Sequence, residues 1–143
     1  MAKEIWFDMD GTIANLYGEK NWLNDIHNEK PDCYKNAKPL LQLNLLARLL
    51  NNLQREGYLI GIITWLPRGA TTEYNETVAK AKREWLQKHL KSVRFDRVDI
   101  TEYGTPKHEN RTGILFDDEL QNRETWKGVA YTENEIIQIL KTL

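Results

Sequence analysis

The sequence predicts an α/β domain in which a central parallel sheet of about five strands carries helices on both faces. Three observations predict this class. Short apolar runs alternate with segments of helical periodicity, one run is apolar throughout, and no linker, low-complexity tract or repeat divides the 143 residues. Strands that alternate with helices favour a parallel sheet joined by right-handed crossovers, and an unbroken apolar run is typical of a strand buried on both faces. We therefore treat residues 1–143 as one Rossmann-like, three-layer domain.

The first strand and an insertion occupy the N-terminal quarter of the chain. Residues 5–7 form a short apolar run closed by Asp10-Gly11, as expected for a buried strand that ends in a turn. The segment 15–38 that follows is polar and irregular, and its apolar side chains at 22–26 lie at nearly helical spacing. We predict a small, cap-like insertion that contains one short helix.

The remaining elements alternate between helix and strand up to the C-terminus. Leucines at three- and four-residue steps predict a helix over 39–56, with Pro39 suited to its first turn and Gly57 to its end. The unbroken apolar run 58–64 predicts the second strand. The same criteria predict, in order, a helix over 73–90, strands over 93–100, 112–116 and 128–131, and a closing helix over 133–143.

Composition and charge exclude several classes of protein. Twenty Lys and Arg against 21 Asp and Glu leave a net charge of −1, which disfavours extended nucleic acid as a partner because phosphate binding requires a basic surface. Cys33 is the only cysteine, so neither an intrachain disulfide nor a Cys-rich zinc site can form. No signal-peptide core or apolar stretch of about 20 residues is present. We expect a cytoplasmic protein with no membrane partner.

Polar side chains occur close to the ends of the predicted buried strands. They are Asp8, Asp10 and Thr12 around Gly11 after the first strand, Thr64 at the end of the second, Lys107 ahead of the fourth, and Asp117, Asp118 and Asn122 after it. Carboxylates that converge on one place repel each other, and a hard divalent cation such as Mg²⁺ relieves that repulsion. A hydroxyl and a positive charge can bind a phosphate. The set predicts phosphoryl transfer.

Other interpretations of these residues fit the sequence less well. A two-residue hairpin turn at Asp10-Gly11 needs an alternating strand after it, which 12–18 does not provide. An EF-hand loop needs Gly at the sixth position from Asp8, where Ile13 stands. Lys80 and Lys82 on the predicted 73–90 helix compete with Lys107. We predict instead that these two lysines form its solvated face together with Arg83, Lys88 and Lys91.

Four motifs resemble, in order, those of the haloacid dehalogenase-like (HAD) hydrolases. They are FDMDGT at 7–12, IITW at 62–65, Lys107, and DDELQN at 117–122. The resemblance covers the chain from about residue 3 to residue 131. Lys107 lies ten residues before Asp117, a spacing similar to that of the 5'(3')-deoxyribonucleotidase branch.

The resemblance implies a catalytic role for two aspartates. Asp8 matches the nucleophile that becomes an aspartyl-phosphate, and Asp10 matches the general acid and base. An aspartate at the second position favours a phosphatase over the dehalogenases, which lack it, and over the transport ATPases, which carry threonine. Thr64 and Lys107 would hold the phosphoryl oxygens.

The resemblance also implies a Mg²⁺ cofactor and its ligands. The ion would be bound by Asp8, the backbone carbonyl of Asp10, and Asp118, with Asp117 binding directly or through water. Three further motif residues would support the site: Gly11, Thr12 and Asn122.

The short insertion bears on the substrate. In this family a cap selects the substrate, and 15–38 is too short for a four-helix cap, so we expect a site that is open or covered by a neighbouring subunit of a homo-oligomer. Aromatic and basic side chains near the motifs are candidate substrate contacts: Trp65, Arg68, Tyr17 and Trp22. We expect a Mg²⁺-dependent phosphomonoesterase that acts on a nucleoside monophosphate or a similar small phosphate ester, as a 5'-nucleotidase does. A polynucleotide-end phosphatase and a HAD-like binding module without significant turnover are the alternatives.

Overall fold

A five-stranded parallel sheet forms the centre of the computed structural model, which describes residues 3–143. The strands of the described chain are β1 (Glu4–Phe7), β2 (Ala14–Asn15), β3 (Lys38–Pro39), β4 (Leu59–Trp65), β5 (Arg97–Thr101), β6 (Ile114–Phe116) and β7 (Val129–Tyr131). The central sheet has the order β5-β4-β1-β6-β7 with all neighbours parallel, and β2 and β3 form a separate antiparallel pair. The predicted fold class is confirmed.

The strand order places a binding crevice at the end of β1. The chain runs from β1 to β4 and β5 on one side, and then returns to β6 and β7 on the other side of β1. Where the direction of the crossovers reverses in this way, the loops at the carboxyl ends of the central strands separate and leave a crevice. The loops after β1, β4 and β6 therefore surround one site.

Helices cover the two faces of the sheet unequally. The helices are α1 (Trp22–His27), α2 (Asp32–Asn36), α3 (Leu43–Arg55), α4 (Thr72–His89), α5 (Leu120–Thr125) and α6 (Ile136–Leu140), with 3-10 turns at Leu16–Gly18 and Glu133–Glu135. Side chains of α3, α4 and α6 pack with Ile5, Phe7, Ile60 and Ile62 in the main core. On the opposite face, Trp126 after α5 packs with Trp6, Ile63 and Leu115.

Some element boundaries differ from the sequence prediction. The helix expected from Pro39 begins at Leu43, because Lys38 and Pro39 pair with Asn15 and Ala14 as β3. The expected strand over 93–100 is confined to β5, and Val93 is buried against the core in the turn that precedes it. The closing helix is divided. A capping box between Thr132 and Glu135 begins one turn of 3-10 helix, and α6 follows that turn.

The insertion 15–38 packs on α4. It contains the predicted short helix as α1 and also α2, which the sequence analysis did not predict. Its buried side chains form one cluster with those of α4: Leu16, Cys33 and Tyr34 from the insertion, and Tyr74, Val78 and Ala81 from the helix. The Tyr74 hydroxyl donates to the Lys30 carbonyl at 2.8 Å, and the Trp85 indole N–H donates to the Ala37 carbonyl at 2.7 Å. The insertion and α4 therefore share one small core.

None of the helices formed by residues 3–143 combines the length and the apolar character that crossing a membrane requires.

Candidate active site

Three aspartates converge where β1 and β6 end. The backbone N–H of Asp8 donates to Phe116 at 3.0 Å, which extends the pairing of β1 with β6 by one residue. Asp117 and Asp118 follow β6 directly. One carboxylate oxygen from each of Asp8, Asp117 and Asp118 lies within 4.8 Å of the other two. Oxygen donors at this spacing suit a hard divalent cation.

Lys107 lies between two of these carboxylates. Its ammonium donates to Oδ1 of Asp8 at 3.0 Å and to Oδ2 of Asp117 at 2.7 Å, and only 4% of the residue is exposed. Burial by itself lowers the pKa of Lys107, but the charges of Asp8 and Asp117 and the hydrogen bonds to them outweigh it and raise that pKa. Lys107 is therefore a cation between Asp8 and Asp117.

The turn after β1 fits closely against Asp118. The Thr12 hydroxyl lies 3.3 Å from Oδ2 of Asp8 and 3.1 Å from Oδ1 of Asp118, and it accepts from the Asp118 N–H at 3.2 Å. Gly11 has a φ of +81°, and a Cβ there would collide with the Asp118 carboxylate. Only glycine readily allows this backbone conformation and this approach.

Asp117 is held by the first turn of α5. Asn122 donates from Nδ2 to Oδ2 of Asp117 at 3.2 Å, and the backbone N–H of Glu119 donates to Oδ1 at 2.9 Å. Arg123 donates to the Asp117 carbonyl at 2.9 Å. Asn122, the predicted supporting residue, thus contacts Asp117.

Asp10 is paired with a buried lysine and is not one of the three clustered aspartates. Its Oδ2 lies 2.8 Å from Nζ of Lys82, which also donates to the Thr64 hydroxyl at 2.7 Å and to the Trp65 carbonyl at 2.8 Å. The prediction that Lys82 belongs to the solvated face of the helix is wrong, since the residue is only 1% exposed. The other members of the predicted solvated face are exposed: Lys80, Arg83, Lys88 and Lys91.

The spacing of α4 contains the signal that would have found Lys82. It stands four residues after Val78 and three before Trp85, both buried, so it belongs to the inward-facing stripe of the helix. A lysine on such a stripe requires a buried acceptor. Asp10 and Thr64 meet that requirement.

Negative charge exceeds positive charge in the site. Asp8, Asp10, Asp117 and Asp118 against Lys82 and Lys107 leave a charge of −2 when all six are ionised (2 − 4). Burial and then the Asp8 charge raise the pKa of Asp118 to about 7. The same two causes, opposed by Lys107, raise the pKa of Asp117 to about 6. This excess charge and the donor set fit a divalent cation.

A cavity of about 380 Å³ opens above these residues. Asp8, Asp10, Thr64 and Lys107 line it, and of these Thr64 is fully buried, in its floor. All four candidate substrate contacts line it as well: Trp65, Arg68, Tyr17 and Trp22. The structure thus brings five of the predicted motif residues, the four above and Asn122, to one cavity with the predicted contact residues. The other motif residues are not part of its lining: Gly11, Thr12, Asp117 and Asp118.

Comparison with solved structures identifies the fold around this cavity. D,D-heptose 1,7-bisphosphate phosphatase from Burkholderia thailandensis aligns with a TM-score of 0.51 and 17% identity, over 85% of this chain and 70% of that chain. The chain has the fold of this phosphatase. A protein from Vibrio cholerae aligns over 98% of both chains, with a TM-score of 0.47 and 20% identity. No family model matches the sequence, and no curated protein matches it.

The fold shared with that phosphatase is the three-layer α/β fold that the sequence predicts. The fold implied by the four motifs is therefore confirmed, and the motif residues lie at the carboxyl edge of its sheet.

One wall of the cavity is formed by two aromatic side chains, one at the end of β4 and one in the loop after β5. The indole N–H of Trp65 donates to the Thr105 carbonyl at 2.8 Å, and the Trp65 ring lies 5.0 Å from the Tyr103 ring. Nζ of Lys107 lies 5.1 Å from the centre of the Trp65 ring, and the Arg68 guanidinium carbon lies 5.8 Å from that of Tyr103. The hydrogen bond fixes the plane of the Trp65 ring beside the charged floor.

A second aromatic pair comes from the insertion. The rings of Tyr17 and Trp22 are 5.1 Å apart and meet edge to face. Tyr34 of α2 also lines the cavity, and its ring lies 5.4 Å from Nζ of Lys82.

Sequence reasoning missed Tyr34 and Tyr103. Tyr103 lies two residues after the end of β5. The candidate residues were taken from the neighbourhood of β1, β4 and β6, and the end of β5 was left out. Tyr34 lies in a segment whose helix the apolar spacing did not show. Tyr103 could have been found by treating the end of the third sheet strand like the others.

Proposed function

We propose that the protein is a Mg²⁺-dependent phosphomonoesterase that forms an aspartyl-phosphate on Asp8 and acts on nucleoside monophosphates. One observation carries the proposal. The Asp8 carboxylate lies within reach of two further carboxylates and of the Lys107 ammonium, at the base of an aromatic-lined cavity. This set of groups suits attack by a carboxylate on a phosphoryl group whose negative charge must be offset.

The reaction divides into two balanced steps. In the first, a carboxylate oxygen of Asp8 bonds to phosphorus while the bond from phosphorus to the alcohol oxygen breaks, and Asp10 gives that oxygen a proton. In the second, Asp10 takes a proton from a water molecule whose oxygen bonds to phosphorus, and the bond between Asp8 and phosphorus breaks. Inorganic phosphate leaves, and both aspartates return to their initial states.

Lys107 and Thr64 are the proposed phosphoryl-binding groups. Lys107 makes two hydrogen bonds to protein acceptors within the described residues, and an ammonium has three hydrogens. One N–H is therefore left for a phosphoryl oxygen. Thr64 lines the same cavity and supplies a hydroxyl.

The hydrogen bonds of Asp117 and Asp118 indicate which of the two would bind the metal directly. Both oxygens of Asp117 already accept hydrogen bonds from protein groups. Asp118 accepts at Oδ1 from Thr12, and within residues 3–143 its Oδ2 accepts none. We assign Asp8, Asp118 and the backbone carbonyl of Asp10 as direct ligands, with Asp117 acting through water. Bound there, Mg²⁺ would offset the charge of the phosphoryl group and of the attacking carboxylate.

The two aromatic pairs support a nucleotide as substrate. Stacking on an aromatic side chain is worth about 1–3 kcal/mol per base, and the pairs Trp65–Tyr103 and Tyr17–Trp22 both border the cavity. The similar phosphatase from Burkholderia thailandensis is named for a sugar bisphosphate. A sugar phosphate is therefore the main alternative substrate to compare with a nucleotide. The aromatic rings and Arg68 favour a base over a bare sugar.

The chemistry is tested with p-nitrophenyl phosphate, with and without Mg²⁺ or EDTA. We expect phosphate release that requires Mg²⁺ and is abolished in Asp8→Asn. The exposed Asp32 on α2 offers a matched control, and Asp32→Asn should keep wild-type activity. Wild-type activity in Asp8→Asn would exclude the covalent mechanism, and no metal-dependent release from the wild-type protein would favour a binding module.

The substrate is tested by comparing nucleoside 5'-monophosphates with ribose 5-phosphate and with 3'- or 5'-phosphorylated oligonucleotides. Trp65→Leu should raise KM for nucleotides roughly 5- to 100-fold, the equivalent of one lost stacking contact, and should leave KM for ribose 5-phosphate nearly unchanged. A higher kcat/KM for oligonucleotide ends than for mononucleotides would instead support a polynucleotide-end phosphatase.

A further inference from the structure

We infer that Lys82 is a positioning residue that orients Asp10 and Thr64 as a pair, an inference that rests on the proposed function. Nζ of Lys82 bonds to Oδ2 of Asp10 at 2.8 Å, to Oγ1 of Thr64 at 2.7 Å and to the carbonyl of Trp65 at 2.8 Å. The three acceptors come from the loop after β1 and the end of β4. One side chain of α4 thus joins the proposed acid–base residue to a proposed phosphoryl-binding residue.

Lys82 acts through its neighbours and not on the substrate. An ammonium has three hydrogens and no acceptor, and all three are used in these bonds. The side chain is 1% exposed. It therefore offers no free N–H to a phosphoryl oxygen, in contrast to Lys107.

The direction of the hydrogen bonds determines the direction of the Thr64 hydroxyl. Because Lys82 can only donate, Oγ1 of Thr64 is the acceptor in the bond between them, and the hydroxyl hydrogen must go elsewhere. Within residues 3–143 it has no protein acceptor. Thr64 lines the cavity, so its hydrogen is available to a phosphoryl oxygen.

Lys82 forms a hydrogen bond to one carboxylate oxygen of Asp10 and none to the other. Oδ2 of Asp10 bonds to Lys82, while Oδ1 has no partner within the described residues. Asp10 lines the cavity, and 17% of its side chain is exposed. Anchoring one oxygen limits rotation of the carboxyl group, so that the other can exchange a proton with the leaving oxygen or with water.

A purely structural role accounts less well for a lysine at this place. Burying an ammonium costs free energy of desolvation, which an apolar side chain would avoid. The buried positions around it on α4 are apolar: Val78, Ala81, Trp85 and Leu86. What an apolar residue could not supply is a donor to Asp10, Thr64 and Trp65 together.

The test compares Lys82→Met with Lys80→Met, a change at an exposed lysine of the same helix whose side chain is 81% exposed. If Lys82 orients the acid, its loss should lower kcat by about 10²-fold for a substrate with an alcohol leaving group, such as ribose 5-phosphate. For p-nitrophenyl phosphate, whose leaving group needs little protonation, the loss should stay below about tenfold. Lys80→Met should change neither rate.

A double-mutant cycle separates the effect of Lys82 on Asp10 from a loss of activity that does not act through Asp10. In the Asp10→Asn background, Lys82→Met should change the ratio of the alkyl to the aryl rate by less than about threefold, because the acid is already absent. The inference would be overturned if Lys82→Met alone lowered both rates equally. It would also be overturned if Lys82→Met changed the ratio of the alkyl to the aryl rate as much in the Asp10→Asn background as in the wild-type protein.

Folding of the variants is checked by thermal unfolding. Lys82→Gln keeps a hydrogen-bond donor without the charge, and it provides the same comparison of substrates should Lys82→Met fail to fold. If the wild-type protein releases no phosphate from any substrate, the proposed function fails, and the inference fails with it. If the wild-type protein is active and the variants lose both rates equally, the inference alone is overturned.

Discussion

Asp10 has charged neighbours of both signs, which shift its pKa in opposite directions. Burial raises its pKa, the Lys82 ammonium lowers it, and the Asp8 carboxylate raises it again, with a net shift upward. A raised pKa keeps more of the protonated form near neutral pH, and that is the form that can protonate a leaving oxygen. The environment of Asp10 therefore suits the acid of the first step.

Replacing Asp10 by Asn tests that role. We expect kcat to fall about 10²–10⁴-fold for alkyl phosphates and much less for aryl phosphates, whose leaving groups depart without a proton. The measurement is steady-state hydrolysis of ribose 5-phosphate and p-nitrophenyl phosphate by the same preparation. Equal losses on the two esters would contradict the acid role.

Most of the site could be predicted from the sequence because its residues adjoin apolar runs. Asp8, Thr64 and Asp117 each stand at or just after the end of a buried strand, and parallel strands bring their carboxyl ends to one edge. Lys82 could not be assigned in this way. Its burial depends on an acceptor 72 positions earlier in the chain, and α4 is otherwise rich in charged residues that face solvent.

At the scale of elements, α4 supports both the sheet and the insertion. Its C-terminal half packs in the main core through Trp85 and Leu86, and its N-terminal half packs against the insertion through Tyr74 and Val78. The insertion thus owes its position to a helix of the sheet layer. Without α4, α1 and α2, of six and five residues, would be too short to persist alone.

Val78→Ala tests the packing between α4 and the insertion. Val78 is fully buried in the shared cluster, and removing its methyl groups should cost about 2 kcal/mol of unfolding free energy. Val129 on β7 is 52% exposed, so Val129→Ala should cost less than about 1 kcal/mol. Urea unfolding of the two variants gives both values. Equal values would mean that Val78 contributes no more than an exposed valine.

The element boundaries that the sequence did not predict depend on distant partners. Pro39 suits the first turn of a helix, yet it pairs with Ala14 in β3, and the Leu40 N–H donates to the Ile13 carbonyl at 3.0 Å. Helical leucine spacing begins at residue 40, but Leu40 is 42% exposed. A contact between segments about 25 residues apart decides where the helix begins, and local periodicity carries no information about it.

Charge over the whole molecule is nearly balanced, but its distribution is not. The chain carries −1 in total, whereas the site alone carries −2 when its four aspartates and two lysines are ionised (2 − 4). The pKa of Asp117 is raised to about 6 and that of Asp118 to about 7 by burial and by the Asp8 charge. Without a cation, protons take up part of this excess.

Mg²⁺ affinity should therefore rise with pH. Below these pKa values the carboxyl groups hold protons that Mg²⁺ must displace, and above them no proton is lost on binding. From pH 5.5 to 8.0 the affinity should increase roughly ten- to a hundredfold. Calorimetric titration at the two pH values measures it. Asp118→Asn should bind Mg²⁺ more weakly and with a shallower pH dependence, and equal wild-type affinity at both pH values would contradict the prediction.

The antiparallel pair of β2 and β3 holds the two ends of the insertion side by side. Ala14 pairs with Pro39 and Asn15 with Lys38, so the chain leaves the sheet layer and returns to it at one place. The free energy of closing a loop grows slowly with its length. A segment of another length could therefore leave β2 and return at β3 with only a small change in this free energy. The antiparallel pair thus marks a boundary at which the insertion joins the sheet layer.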